Sequence, residues 1–204
     1  MNVFEDYCDR YDDWYDEHKF AYLSELEALR KAIPQTERGL EIGVGTGRFA
    51  APLNITLGID PSHKMLEIAS QRGVNVRWGY GEDLPFTTDS FDYAAIIITL
   101  CFVNDPLKVL KEARRIIKKD GQLIIAIIDK DSYLGKFYQK KKSIFYKRAN
   151  FFSINELEDL LKQAGFHTFS YSQTLFTLPD KMTCSEKYRK GYGQGGFVVI
   201  KASI

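Results

Sequence analysis

Three glycines in alternation, Gly43, Gly45 and Gly47, stand between a short apolar strand pattern (Leu40, Ile42) and a second one that ends at Asp60. A β-loop-α-β unit accounts for this order. Its glycine turn lets a ligand approach main-chain atoms that a Cβ would block. The acid closing the second strand is placed to accept hydrogen bonds from ribose hydroxyls, so the expected ligand is an adenosine-containing cofactor. The crossover from Gly43 to Asn54 is close to the shortest that a βαβ connection allows, about 10–12 residues. A first helix over roughly Arg48 to Leu53 therefore has one or two turns, and Pro52 discourages more.

The rest of the chain continues the alternation. Ser62 opens a helix to about Arg72 with Met65, Leu66 and Ala69 on one face, and Gly73 ends it. Val74 to Trp78 reads as a third strand, and Phe91 to Leu100 as an apolar strand covered on both faces. Asp105-Pro106 starts a helix by cap and first-turn proline, Lys119-Asp120-Gly121 stops it, and Gln122 to Ile128 is a fifth strand. Residues 129–152 interrupt the pattern with a basic, aromatic insertion. Ser153 and Glu156 form a capping-box signature for a helix reaching Gly165. Phe166 to Leu175 and Gly196 to Ser203, with no helix between them, should pair antiparallel at one end of the sheet.

The fold class that follows is α/β: a Rossmann-like, doubly wound, mostly parallel sheet of seven strands with a C-terminal antiparallel hairpin. The chain of 204 residues is expected to be a single domain, with a helical cap at 1–34. In that cap Phe4, Tyr7, Tyr11 and Trp14 recur at helical spacing, and Leu23, Leu26, Leu29 and Ile33 continue as a core-facing stripe. The aromatic, acidic first half suits a lid over a site as well as a packed surface.

Composition removes several classes of function. A net charge of +1 gives no global case for a nucleic-acid or membrane partner. No apolar run approaches a membrane span and no signal-peptide pattern opens the chain, so the expectation is a cytoplasmic protein. Cys8, Cys101 and Cys184 are odd in number and widely spaced, which suits reduced thiols and gives no zinc pattern. No metal is expected.

With these pieces in order, the chain resembles the class I S-adenosylmethionine-dependent methyltransferases, of the small-molecule type grouped with the ubiquinone-biosynthesis enzymes. Four stretches carry the resemblance: Glu41 to Gly47, Gly58 to Leu66, Glu82 to Asp92, and Glu112 to Leu123. It implies S-adenosyl-L-methionine as cofactor. Gly43 and Gly45 would lie by its methionine portion, with Gly47 in the same loop, Asp60 on its ribose, Met65 on adenine, and Gly81 with Glu82 at the adenine edge. Pro61 and Thr99 complete the implied set, with Glu41 as a candidate that could instead hold loop amides. Two departures stand out. Tyr80 replaces an acid common in the family, leaving stacking or backbone contacts to hold the adenine. Cys101 and Phe102 occupy the place of a common histidine pair, so no general base carries over.

Single residues have blander readings. Asp60 alone could simply cap the helix at Ser62. Gly45 to Ala50 also fits a dinucleotide fingerprint, but Asp60 falls nearer the loop than the roughly 20 residues that fingerprint requires. His63 and His167 read as solvated and strand positions. The lysines at 140, 141 and 142 read as a solvated face.

The implied reaction is methyl transfer to a nucleophilic N, O, S or C atom of a small molecule. Tyr11, Trp14 and His18 are the candidates facing the reaction, and residues 129–152 the other wall of the substrate pocket. An RNA or protein methyltransferase and a non-catalytic S-adenosylmethionine-binding module are the alternatives. Acceptor identity and oligomeric state do not follow from these residues.

Overall fold

The structure, a computed structural model, describes residues 3–36, 38–141 and 143–204; Lys142 of the lysine run lies outside the described residues. The first strand, β1 (Gly39–Ile42), is the pivot. It pairs in parallel with β2 (Leu57–Asp60) on one side and β4 (Phe91–Ile97) on the other. β3 (Asn75–Trp78) extends the sheet beyond β2, and β5 (Ile117–Ile128) beyond β4. The chain thus runs outward in one direction and then returns to the other side of β1. This reversal opens a crevice at the carboxyl ends of β1 and β4, where an open α/β sheet binds its ligand.

The late strands β6 (Thr168–Thr174) and β8 (Phe197–Ser203) pair antiparallel, with β8 inserted against β5. A two-residue edge strand, β7 (Arg189–Lys190), adds an eighth member beyond the seven expected, giving the order β3-β2-β1-β4-β5-β8-β6-β7.

Alternation along the strands sorts side chains into two cores. Tyr93, Ala95, Ile97, Ile124 and Ala126 face the layer of α2 (Cys8–Glu17), α3 (Lys19–Ala32) and α4 (His63–Gln71). Ala94, Ile96, Leu123 and Ile125 face α5 (Pro106–Ile116) and α7 (Ile154–Gln163). The three predicted caps form. Ser62, Asp105 and Ser153 accept from the amides of Met65, Lys108 and Glu156, and Glu156 closes a full capping box.

Several features differ from the sequence reading, the strand expected over Phe91 to Leu100 among them, since β4 ends at Ile97. The N-terminal segment breaks into three helices, α1 (Val3–Asp6), α2 and α3, with corners at Tyr7 and His18. In α3 the buried face is Ala21, Ser24, Glu25, Leu26, Ala28, Leu29 and Ala32; of the expected stripe Leu26, Leu29 and Ile33 are buried and Leu23 is exposed. Arg48 to Leu53 is a chain of turns rather than a helix. Pro52 has no N–H to give the Arg48 carbonyl, and the Tyr22 hydroxyl donates to that carbonyl instead. Finally β5 begins at Ile117, because Phe91 pairs with Ile117 and Tyr93 with Gln122, so the Lys119-Asp120-Gly121 segment bulges out of a strand already begun.

The insertion folds as α6 (Tyr133–Lys140), capped by Ser132, and a short 3₁₀ turn at Tyr146–Arg148. Among the described residues no helix is long and apolar enough to cross a membrane.

Candidate active site

The amides of Gly43 and Val44 both donate to the Ile59 carbonyl (2.8 and 3.0 Å), tying the glycine loop to the end of β2. Gly43 has φ +76°, and a Cβ there would lie 2.1 Å from Thr99 Cγ2, so no other residue fits without displacement. Gly47 serves packing: a Cβ would meet Ala69 of α4 at 3.2 Å. Asp60 accepts from Gly45 N–H (3.0 Å) on one oxygen and Ser62 N–H (2.9 Å) on the other. Each oxygen keeps a free lone pair for a further donor. Burial raises the Asp60 pKa against the pull of those two amides.

Around this loop lies a cavity of about 440 Å³, within the size range of cofactor sites. Gly43, Gly45, Asp60, Pro61, Met65, Gly81, Glu82 and Thr99 line it, together with Tyr80. Eight of the ten expected cofactor residues therefore converge on one space. Glu41 and Gly47 are not among the described residues that line it.

Glu41 is buried behind the loop, and its Oε2 has no hydrogen-bond partner among the described residues. Burial, and then the nearby Asp60 charge, hold its carboxyl well above the usual range. Glu82 reaches the cavity while Oε1 accepts from the amides of Asn104 and Asp105 (3.0 and 3.3 Å). A nucleoside cofactor fits this donor and acceptor set: main-chain atoms bared by glycine, a ribose-height carboxylate, and the thioether of Met65 on an otherwise apolar floor.

A second cavity of about 440 Å³ adjoins the first, and Phe4, Tyr11, Ile98 and Phe102 belong to both. Ile98 takes φ +51°, a left-handed conformation costly for a β-branched residue, at the end of β4 between the two spaces. Aromatic rings from α2 (Trp14, Tyr15) and the insertion (Tyr138, Phe145, Tyr146, Phe151) form most of its wall. Phe145 stacks on Phe4 at 5.6 Å and Tyr146 on Tyr138 at 4.7 Å, so insertion and cap close over the same space. Lys136, Lys140, Lys147 and Arg148 are exposed, and Lys141 alone of the described insertion cations reaches the rim.

The three reaction-side candidates separate here. Tyr11 lies on the shared wall, with its hydroxyl 2.8 Å from that of Tyr15. Trp14 lines the second cavity and stacks on His18 at 4.5 Å. His18 is held at both nitrogens, 2.9 Å from the Trp14 carbonyl and 2.6 Å from Asp180, which makes it a corner piece at the rim.

Glu25, on the buried face of α3, also lines this cavity and was hidden in the sequence by a helix rich in charged residues. Its spacing of four from both Ala21 and Leu29 is the signal that marks it as inward-facing.

The cap is fastened to the loop by charge. Asp12 accepts from Thr46 (2.6 Å), from Arg48 at Nε (2.9 Å) and a terminal nitrogen (2.7 Å), and from both terminal nitrogens of Arg72 (2.8 and 2.6 Å). These partners hold the Asp12 carboxyl well below the usual range against the cost of burial. The acidic run at the N-terminus thus reads the two arginines that flank the glycine loop and α4. Among the described residues no three His, Cys, Asp or Glu side chains converge as a metal site.

Comparison with known proteins gives the same direction. Residues 40–125 match a family described as a methyltransferase domain. A Thermotoga maritima crystal structure described as an S-adenosylmethionine-dependent methyltransferase, possible histamine N-methyltransferase, is 51% identical. It covers 98% of this chain and 97% of its own, with a TM-score of 0.95. An uncharacterised protein of Methanocaldococcus jannaschii is 50% identical over 99% of this chain and 98% of its own length. Likeness to quinone-pathway enzymes is more distant than the motifs suggest. The demethylmenaquinone methyltransferase of Thermotoga maritima is 31% identical over 72% of this chain and 66% of its own.

Proposed function

The chain belongs to the S-adenosylmethionine-dependent methyltransferases, and from that membership we propose that its acceptor is a small molecule bound in the second cavity. The observation that carries this reading is the shared wall: an aromatic space abuts the glycine-loop cavity through Phe4, Tyr11, Ile98 and Phe102. A space of about 440 Å³ roofed by α2 and the insertion suits a molecule of drug-like size rather than a folded RNA or protein. The single-domain reading of residues 1–204 is part of the proposal.

S-adenosyl-L-methionine supplies a methyl group already bonded to a good leaving group, so the protein's task is to bind, align and exclude water. Asp60 takes the ribose hydroxyls on its free lone pairs. Gly43 and Gly45 bring main-chain atoms against the methionine portion, with Thr99 beside them. Pro61, Met65, Gly81 and Glu82 border the adenine, and Tyr80 stands ready to stack at its open side. Glu41 and Gly47 hold the loop from behind rather than touching cofactor. Phe4 and Tyr11 screen the transfer point from solvent, since both sit on the wall common to the two cavities.

Transfer of radiolabelled methyl groups, offered in parallel to a panel of small acceptors (amines including histamine, phenols, thiols), to bulk tRNA and to protein, tests the proposal. Label in a small acceptor is expected. Label found only in tRNA or protein would overturn it.

A further inference from the structure

On the floor of the second cavity Glu25 is 1% exposed, and its Oε2 has no hydrogen-bond partner among the described residues. Such an orphan is costly, because a buried carboxyl keeps no water to replace the bond it lacks. The nearby hydroxyls do not supply that bond. Tyr11 and Tyr15 bond to one another at 2.8 Å, and the Tyr138 ring is stacked on Tyr146. Among the described residues that line the cavity, Arg10 and Lys141 are exposed and His18 is taken up by Asp180. Burial alone pushes the Glu25 carboxyl up to about 8.

What the cavity lacks, then, is a positive donor at one point on an aromatic floor. We propose that Glu25 is the specificity-determining residue of the acceptor cavity, and that the acceptor is an amine bound through its protonated nitrogen. This rests on the small-molecule reading above. An ammonium satisfies Oε2 with a charge-assisted hydrogen bond, and the rings of Tyr11, Trp14, Tyr15 and Tyr146 accommodate its charge by cation–π contact. A phenol or thiol offers a donor but no charge, so it forms no ion pair with Glu25, and a carboxylate brings a second acid to the same point.

Proton transfer follows the same geometry. An ammonium nitrogen must shed a proton before its lone pair can form a bond to carbon, and the Glu25 carboxylate is the acceptor: the N–H bond breaks as the O–H bond forms. Tyr11 lines the second cavity together with Glu25 and also lines the first, so it is the ring between the held nitrogen and the cofactor space.

The test is equilibrium binding to protein saturated with S-adenosylhomocysteine, with a graded series of alkyl and arylalkyl amines, among them 2-phenylethylamine. Each amine is set against its matching alcohol and carboxylate. Hydrogen bonds to charged groups correspond to roughly 10- to 100-fold in affinity, so at least one amine should exceed its alcohol by that factor. Glu25→Gln should reduce the ratio to about one while leaving S-adenosylhomocysteine affinity and the melting temperature at or above the wild-type values. The inference is overturned if no amine is preferred over its alcohol, including the case in which no amine binds, or if Glu25→Gln keeps the preference. Loss of S-adenosylhomocysteine binding in the wild-type protein would instead strike the cofactor assignment, and methyl transfer to alcohols or thiols with Glu25 indifferent would leave the small-molecule reading standing alone.

Discussion

The two cavities have the same volume and share a wall, yet they are built of different materials. Around the glycine loop four of the described lining residues are glycines, Gly43, Gly45, Gly79 and Gly81, which bare main chain beside one strand-end acid. In the second cavity it is almost all side chain, drawn from α2, α3, the ends of β4 and β5, and the insertion. Main-chain sites depend on φ/ψ values and close approach that only glycine allows, so they leave a mark in sequence. Side-chain sites depend on which face of a helix turns inward, and a ring or acid there looks like any other.

Substitutions should therefore act differently on the two sides. The largest effect is expected at Gly43, where alanine is both left-handed and 2.1 Å from Thr99. Backbone strain and overpacking together should cost about 4 kcal/mol of stability in urea unfolding, with loss of cofactor binding by calorimetry. An alanine tolerated at Gly43 would remove the contrast on the main-chain side.

Next comes the pH response of the buried acid. Because the Glu25 pKa rises from 4.5 in the unfolded chain to about 8 on folding, the stability it contributes is complete below 4.5 and is lost as pH climbs toward 8. The group facing it from α2 is the Tyr11–Tyr15 pair, and from the insertion Tyr138 and Tyr146, all neutral over this range. Between pH 4.5 and 7 the wild type should lose about 3 kcal/mol more than Glu25→Gln, at roughly 1.4 kcal/mol per unit. Parallel stability profiles for the two proteins would place Glu25 in water rather than on the cavity floor.

The order of these effects bears on what could be read from the chain alone. The caps at Ser62, Asp105 and Ser153, the glycine loop and Asp60 were legible because each depends on a local rule linking residue type to backbone geometry. The helix over Arg48 to Leu53 failed because Tyr22, distant in sequence, takes the carbonyl that Pro52 leaves open. Of the stripe Leu23, Leu26, Leu29 and Ile33 only Leu23 is exposed: helical periodicity fixes the spacing of a stripe, but the packing of α3 on β6 and β8 decides its edges and turns Glu25 inward. Eight of the implied cofactor residues met in one cavity, whereas the places of Glu25 and Ile98 in the second came into view through tertiary packing.

Asp60→Ala should weaken S-adenosylhomocysteine binding by about 2 kcal/mol, roughly 30-fold, since it removes a charge-assisted bond to ribose and frees the Gly45 amide. Amine binding in the second cavity should stay within a factor of about three, well inside the size of one lost hydrogen bond. Equal losses on both sides would mean that the cavities act as one. The smallest effect is expected at the wall between them: Tyr11→Phe removes the 2.8 Å bond to Tyr15 and should cost about 1 kcal/mol in thermal unfolding.

The most direct measurement is a crystal structure of the protein with S-adenosylhomocysteine bound. The ribose hydroxyls should lie within hydrogen-bonding distance of Asp60, the adenine between Met65 and Tyr80, and the sulfur against the wall of Phe4, Tyr11, Ile98 and Phe102, facing the second cavity. A nucleoside seated with its ribose away from Asp60, or a sulfur turned from that wall, would contradict the assignment of cofactor and acceptor to these two spaces.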